Sequence, residues 1–161
     1  MRWTVYDSPV GELLLGANRE ALCRLSFTGA RPAPAARADG DPALVATSAE
    51  LDEYFAGRLT QFTVPLSLAG SEFERRVWAA LLKIPYGETR SYGGIARAAG
   101  EPDAARAVGI ANNHNPVAII VPCHRVIGAD GKLVGYGGGL ATKRTLLELE
   151  ARVSIERDFA I

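Results

Sequence analysis

Only two cysteines and two histidines occur among the 161 residues, and no histidine precedes His114. Cys23 and Cys123 lie far apart, so neither a disulfide framework nor a four-ligand zinc site of the usual spacing can be written. Two separated thiols suit a reducing compartment. No apolar run reaches membrane-spanning length, and the opening MRWTVYDSPVG has no basic stretch leading into an apolar one; the expectation is a cytoplasmic protein with no membrane partner. Excess charge is missing too. The formal net charge is zero, which argues against binding nucleic acid through one large basic surface. No glycine-rich nucleotide fingerprint is present, so no cofactor is expected, and no metal.

What the chain does have is ordinary globular composition, 48% hydrophobic and 22% charged, at a length suited to one generous domain or two small ones. Up to Gly70 acidic side chains outnumber basic ones, whereas from Ser71 to Glu150 the balance reverses. If DNA is the partner, the second half holds it. Between Trp3 and Phe27 short apolar runs broken by SPVG and ANRE predict an antiparallel meander. Gly29 to Pro42, rich in Pro, Ala and Gly, reads as a mobile loop. A helix over Leu44 to Gly57 and a strand over Phe62 to Leu68 follow, and Leu68-Ala69-Gly70 is the expected boundary.

Beyond it, SEFE at Ser71 to Glu74 has the capping-box form and opens a helix with Phe73, Val77, Trp78, Leu81 and Leu82 on one face. Pro85 and Gly87 end it. Ser91 can cap a second helix carrying Tyr92, Ile95, Ala96 and Ala99, and Gly100 closes that one. A tight turn at Glu101-Pro102-Asp103 leads into a third helix, AARAVGIANN, completing a helix-turn-helix pattern. With Ala104, Ala107, Val108 and Ala111 as its buried stripe, the third helix exposes Ala105, Arg106, Gly109, Ile110, Asn112 and Asn113. So small a surface lets the helix approach a partner closely. Close packing inside the protein would use the same residues, but an interior helix seldom keeps an unpaired guanidinium such as Arg106.

Val117 to Val121 is wholly apolar and β-rich, the pattern of a buried strand. It runs into Pro122-Cys123-His124-Arg125, placing a thiol beside two side chains able to carry positive charge, an environment that lowers a thiol pKa. A cysteine after a strand is also commonly inert core, and Cys-His adjacency alone does not make a catalytic pair.

PCHRV, preceded by NPVAIIV and followed by GYGGGLATKRTLLELE, resembles the active-site region of the O6-alkylguanine-DNA alkyltransferases, the methylated-DNA–protein-cysteine methyltransferases. The resemblance extends back through GETRSYGGIA and AARAVG and covers nearly everything from Phe73 to Glu150; TVYDSPVGELLL and LDEYFAGR resemble the family's N-terminal domain more weakly. It implies an α+β fold. Residues 1–70 would form a small antiparallel sheet with a helix, ribonuclease H-like. Residues 71–150 would form a mostly helical DNA-binding and alkyl-acceptor domain with a winged helix-turn-helix and a short strand leading to the cysteine, followed by a tail over 151–161.

The resemblance also implies roles. Cys123 would accept the alkyl group irreversibly from O6-alkylguanine in duplex DNA, with O4-alkylthymine a second candidate substrate, once per protein molecule. His124 would relay its proton, through a water, to Glu150 at the end of the last helix, and Asn115 would brace the loop. Tyr92 would donate to the departing guanine and help rotate the nucleotide's phosphate. Tyr136, Gly137, Gly138 and Val126 would wall the base pocket. Arg106 would fill the hole in the base stack, with Ala105, Gly109 and Asn113 on the same minor-groove helix. A monomer is expected in solution, with clustering along DNA left open.

These roles make physical sense beside the family name. The alkyl carbon lies inside the duplex, so the nucleotide must leave the stack. The minor groove is only about 6 Å wide, so an entering helix needs small residues. Charge develops on the leaving base, so a donor such as Tyr92 or the Gly137 amide lowers the barrier. Each residue also has a plainer explanation: Tyr92 as core, Asn115-Pro116 as a turn, Glu150 as a solvated carboxylate, GYGGG as a flexible loop. Their joint occurrence in order around PCHR favours the functional one. Some relatives bind zinc in the N-terminal domain, which this chain cannot do with Cys23 alone, and Cys23 reads as core. Some place serine where Gly137 stands, leaving only the backbone N–H and more room for bulky alkyl groups. Three other readings stay in view. A binding relative that senses alkylated bases would lack the acceptor cysteine. A helix-turn-helix regulator with Cys123 as redox sensor leaves PCHR and GYGGG unexplained. A cysteine hydrolase needs a base oriented by a third group.

Overall fold

The computed structural model describes residues 1–27 and 29–159. They divide into two compact units, Met1–Ala69 with Pro116–Ala118, and Gly70–Asn115 with the chain from Ile119 onward.

The first unit is built on an antiparallel meander, β1 (Arg2–Ser8), β2 (Gly11–Asn18) and β3 (Ala21–Phe27), in that order. SPVG closes the first hairpin: Ser8 Oγ donates to Gly11 O at 2.6 Å and accepts from Val10 N at 3.1 Å. Gly11 takes φ +103°, a backbone that side chains disfavour. Leu13, Leu15, Ala17, Leu22 and Leu25 are buried with Leu44, Leu51 and Tyr54 of α1 (Pro42–Phe55). Asp41 caps α1 by accepting from Ala43 N and Leu44 N, and Pro42 sits in the first turn, where its missing N–H costs nothing.

The Pro/Ala-rich segment is hydrogen-bonded to β1. Trp3 Nε1 donates to Ala33 O at 2.9 Å, Ala38 N to Trp3 O at 2.8 Å and Thr4 Oγ1 to Asp39 at 2.7 Å. Arg2 also pairs with Asp41. One expectation for this unit is corrected: Phe62 to Leu68 contains a single bridge, Leu66 to Leu22, instead of a strand. Thr63 N and Val64 N are taken by the Glu50 carboxylate at 2.9 and 3.0 Å, so a side chain satisfies amides that a ladder would otherwise use.

In the second unit, α2 (Glu72–Leu82) opens with the expected capping box, Ser71 accepting from Glu74 N and the Glu74 carboxylate from Ser71 N. Its buried face is Val77, Trp78, Ala80 and Leu81, whereas Leu82, expected inside, is exposed. Gly87 turns the chain at φ +81°, where a Cβ would stand 2.0 Å from Ser154 Oγ. Ser91 caps α3 (Tyr92–Ala98) through Gly94 N, and the turn Glu101–Ala104 leads into α4 (Ala105–Asn113). A short parallel pair, β4 (Arg90–Ser91) with β5 (Val126–Ile127), accompanies the helices. The last helix, α5 (Leu140–Asp158), does not stop at Glu150: the expected tail is helix through Asp158, and its final two residues lie outside those described.

The expected strand Val117–Val121 is also absent. Val117 makes one bridge to Leu25 in the first unit, and the chain then turns, with Ile119 at φ +71°. All five residues are nonetheless buried. No helix among the described residues is long and apolar enough to cross a membrane.

Candidate active site

Cys123 stands on a single 3-10 turn, Cys123–Arg125, between the buried turn at Ile119–Val121 and β5. Pro122 precedes it, and the Cys123 amide donates back to Val121 O at 2.8 Å. The turn buries three consecutive side chains, Cys123, His124 and Arg125. Two of them reach α5. His124 Nε2 lies 2.7 Å from Glu150 Oε2; Arg125 donates from Nε to Oε1 at 2.7 Å and from Nη2 to Oε2 at 3.1 Å. Arg125 Nη1 donates to Ile84 O at 2.8 Å, and its guanidinium lies over the Tyr86 ring.

Burial sets the protonation states. His124 and Glu150 are 0% and 1% exposed. Burial alone would raise the Glu150 pKa, but attraction and hydrogen bonding from His124 and Arg125 outweigh it, bringing the carboxyl down to about 2. Burial holds His124 below its ordinary value despite the attraction of Glu150. The resulting state is an ionised carboxylate beside a neutral imidazole. An ionised carboxylate only accepts hydrogen bonds, so Nε2 must carry the imidazole proton and Nδ1 a bare lone pair. His124 Nδ1 is buried and has no protein partner among the described residues. The turn thus presents a base, oriented by a third group, next to a thiol.

The thiol itself corrects an expectation. Positive neighbours were to lower its pKa; burial instead raises it, against the hydrogen bonds from Asn115 and Tyr136 and the charge of Lys143. Cys123 therefore rests as a thiol, and the base is needed to make it a nucleophile. Asn115 Nδ2 also donates to Val121 O at 2.8 Å, tying the end of α4 to the turn before the cysteine. Tyr92, at the start of α3, donates to Val134 O at 3.4 Å, and burial with the nearby Cys123 charge raises its pKa.

Of the expected pocket residues, Val126 is fully buried in β5, and Tyr136 turns its hydroxyl to the thiol. Gly137 is exposed and a Cβ there would meet nothing within 4 Å; Gly138 is half-buried. On α4, Arg106 and Asn113 are exposed and Ala105 and Gly109 half-buried, with a Gly109 Cβ 3.9 Å from the Tyr92 ring. The expected buried stripe shifts: Ala107 is exposed, while Asn112 is buried beside Val108 and Ala111 and donates to Cys123 O at 3.4 Å.

Sequence reasoning missed Asn112, the pairing of Arg125, and above all Lys143. The Lys143 ammonium is buried and donates to Val126 O at 2.6 Å and Val134 O at 3.0 Å, joining β5 to the glycine-rich loop. A signal existed: Lys143, Leu146, Glu150 and Val153 fall on one helical stripe, so two charged residues occupy an otherwise apolar face.

Among the described residues no group of three or more His, Cys, Asp or Glu is arranged to hold a metal.

Two family models match the chain. Residues 72–152 match the 6-O-methylguanine DNA methyltransferase DNA-binding domain, and residues 1–68 the ribonuclease-like domain of the same methyltransferases. The methylated-DNA–protein-cysteine methyltransferase of Mycobacterium leprae is 56% identical over 146 residues, covering 89% of this chain and 88% of its own. That of Mycobacterium tuberculosis H37Rv is 55% identical, with 93% and 92% covered. The crystal structure of the Mycobacterium tuberculosis protein in complex with DNA superposes with a TM-score of 0.87 at 52% identity, covering 95% of this chain and 94% of that one.

Proposed function

The chain belongs to the 6-O-methylguanine DNA methyltransferase family, and from that premise we propose that Cys123 is the residue that takes the methyl group, once per molecule. The activity is DNA repair by transfer of a methyl group from damaged DNA to a cysteine of the protein. The observation that carries the assignment is the His124–Glu150 contact at 2.7 Å. It fixes the imidazole tautomer and leaves a buried base on the turn that bears the thiol.

In the reaction, His124 Nδ1 receives the Cys123 proton, relayed by a water, while the Glu150 carboxylate, held in place by Arg125, stabilises the imidazolium. The thiolate sulfur attacks the O6-alkyl carbon in line. A C–S bond forms as the C–O6 bond breaks, and the bonding pair leaves with guanine. The Tyr92 hydroxyl, kept protonated by its raised pKa, donates to the leaving base and offsets that charge; the proton lost from sulfur restores the balance. The products are guanine in DNA and a thioether, which has no easy leaving chemistry, so the protein is consumed.

Access requires the nucleotide to leave the duplex. The exposed small-residue helix α4 enters the minor groove, Arg106 fills the vacated stack, and Val126, Tyr136, Gly137 and Gly138 wall the pocket. The protein works as a monomer in the cytoplasm. Cys123→Ser tests the assignment: it is expected to bind a duplex carrying O6-methylguanine and leave the lesion intact. Lesion removal at the parent rate by Cys123→Ser would overturn it.

A further inference from the structure

We infer that Ile110 is a DNA-contact residue, an apolar knob on α4 that packs against the deoxyribose walls of the minor groove one helical turn from Arg106; this rests on the reading of α4 as the groove-entering helix. The stripe that packs α4 into its own unit is complete without it: Val108, Ala111 and Asn112 are buried, and Trp78 donates to Ala111 O at 2.9 Å. Ile110 is left 55% exposed. Scattered apolar residues on a surface need no explanation, but this one has a defined setting. Positions 106, 107, 110 and 113 follow the spacing of one helical face, and Arg106, Ala107, Ile110 and Asn113 are all exposed. The knob therefore shares the face that carries the stack-filling arginine, and its neighbour Gly109 lies against Tyr92.

The chemistry suits the occupant. Minor-groove walls are lined by sugar C–H groups, and proteins that bend DNA from this side use apolar side chains there. A β-branched side chain on a helix is held in essentially one rotamer, so ordering it on binding costs little. A neutral chain gains the more from such a contact, because it has no large excess of cations to release counterions.

That last point makes the contact measurable. An apolar contact adds affinity without releasing ions, whereas an arginine at a phosphate or in the groove adds both. Ile110→Ala is expected to weaken binding to an O6-methylguanine duplex about tenfold at fixed salt while leaving the slope of log affinity against log salt as in the parent. Arg106→Ala should reduce that slope by about one. Ile110→Val should recover most of the lost affinity. The reaction with free O6-benzylguanine needs no duplex, so for Ile110→Ala the duplex reaction rate should fall relative to the free-base rate by the same factor as the affinity. Duplex affinity unchanged in Ile110→Ala but weakened in Arg106→Ala would overturn this inference and leave the reading of α4 standing. Affinity unchanged in both would remove that reading as well. A change in self-association of Ile110→Ala with DNA affinity intact would assign the knob to a protein interface and overturn it equally.

Discussion

Glu150 and His124 are the residues on which pH acts most strongly. The Glu150 carboxyl lies at about 2 when folded against an ordinary 4.5, so the unfolded chain binds its proton more tightly. Its stabilisation is fully present above about 4.5 and is lost as pH falls toward 2. His124 is held below its ordinary 6.5, so the unfolded chain charges first and stability is lost as pH falls from 6.5 toward the folded value. Denaturant midpoints should therefore be flat above neutrality and fall progressively below about 6.5; a midpoint constant from pH 7 to 3 would contradict both assignments. Glu150→Gln should cost about 3 to 5 kcal/mol at pH 7, because it strands the buried Arg125 charge. Gly137→Ser is expected to fold normally, since its Cβ meets nothing within 4 Å, and to slow reaction with O6-benzylguanine more than with O6-methylguanine. Equal slowing would show that position 137 does not gauge alkyl size. The contact between His124 and Glu150 joins two residues that the sequence singled out, because the order of residues around PCHR is distinctive. The state of the thiol was not, because neighbouring charge is visible in a sequence and burial is not. Lys143 escaped for a related reason: a lysine is ordinarily solvated, and only its register with Glu150 marks it as buried.

Secondary-structure elements divide by the kind of signal that specifies them. The meander, α2, α3 and α4 were readable because turn residues, caps and periodicity agree, as at Ser8–Gly11 and Ser71–Glu74. Ser71→Ala should cost α2 about 1 kcal/mol, seen as a lower thermal midpoint with activity retained; no shift would mean that the box is not formed in solution. The two short apolar runs misled in the same way. Phe62 to Leu68 and Val117 to Val121 each make one bridge; only the second run is buried, and hydrophobicity over so short a span does not specify a strand. At Ile119 the backbone goes further from that expectation, since φ +71° strains a β-branched residue. That turn leads directly into the cysteine, and the run 119–121 is buried.

For the molecule as a whole, the alkylation proposed at Cys123 would be an irreversible change made inside a packed site. Cys123 is 5% exposed, and its sulfur accepts from Asn115 and Tyr136. An added methyl crowds the pocket and weakens those bonds, at a cost of about 1 to 3 kcal/mol. The methylated protein should melt several degrees below the parent, measured by calorimetry on the same preparation before and after reaction. An unchanged midpoint would mean that the site accommodates the product without strain. The most direct measurement of the central claim is the stoichiometry and location of transfer. The protein is incubated with excess duplex bearing a single O6-methylguanine, and its peptides are then weighed. One methyl per molecule, on the peptide containing Cys123 and nowhere else, is the predicted result; repair of more than one lesion per molecule, or a methyl group on Cys23 with Cys123 unmodified, would contradict it.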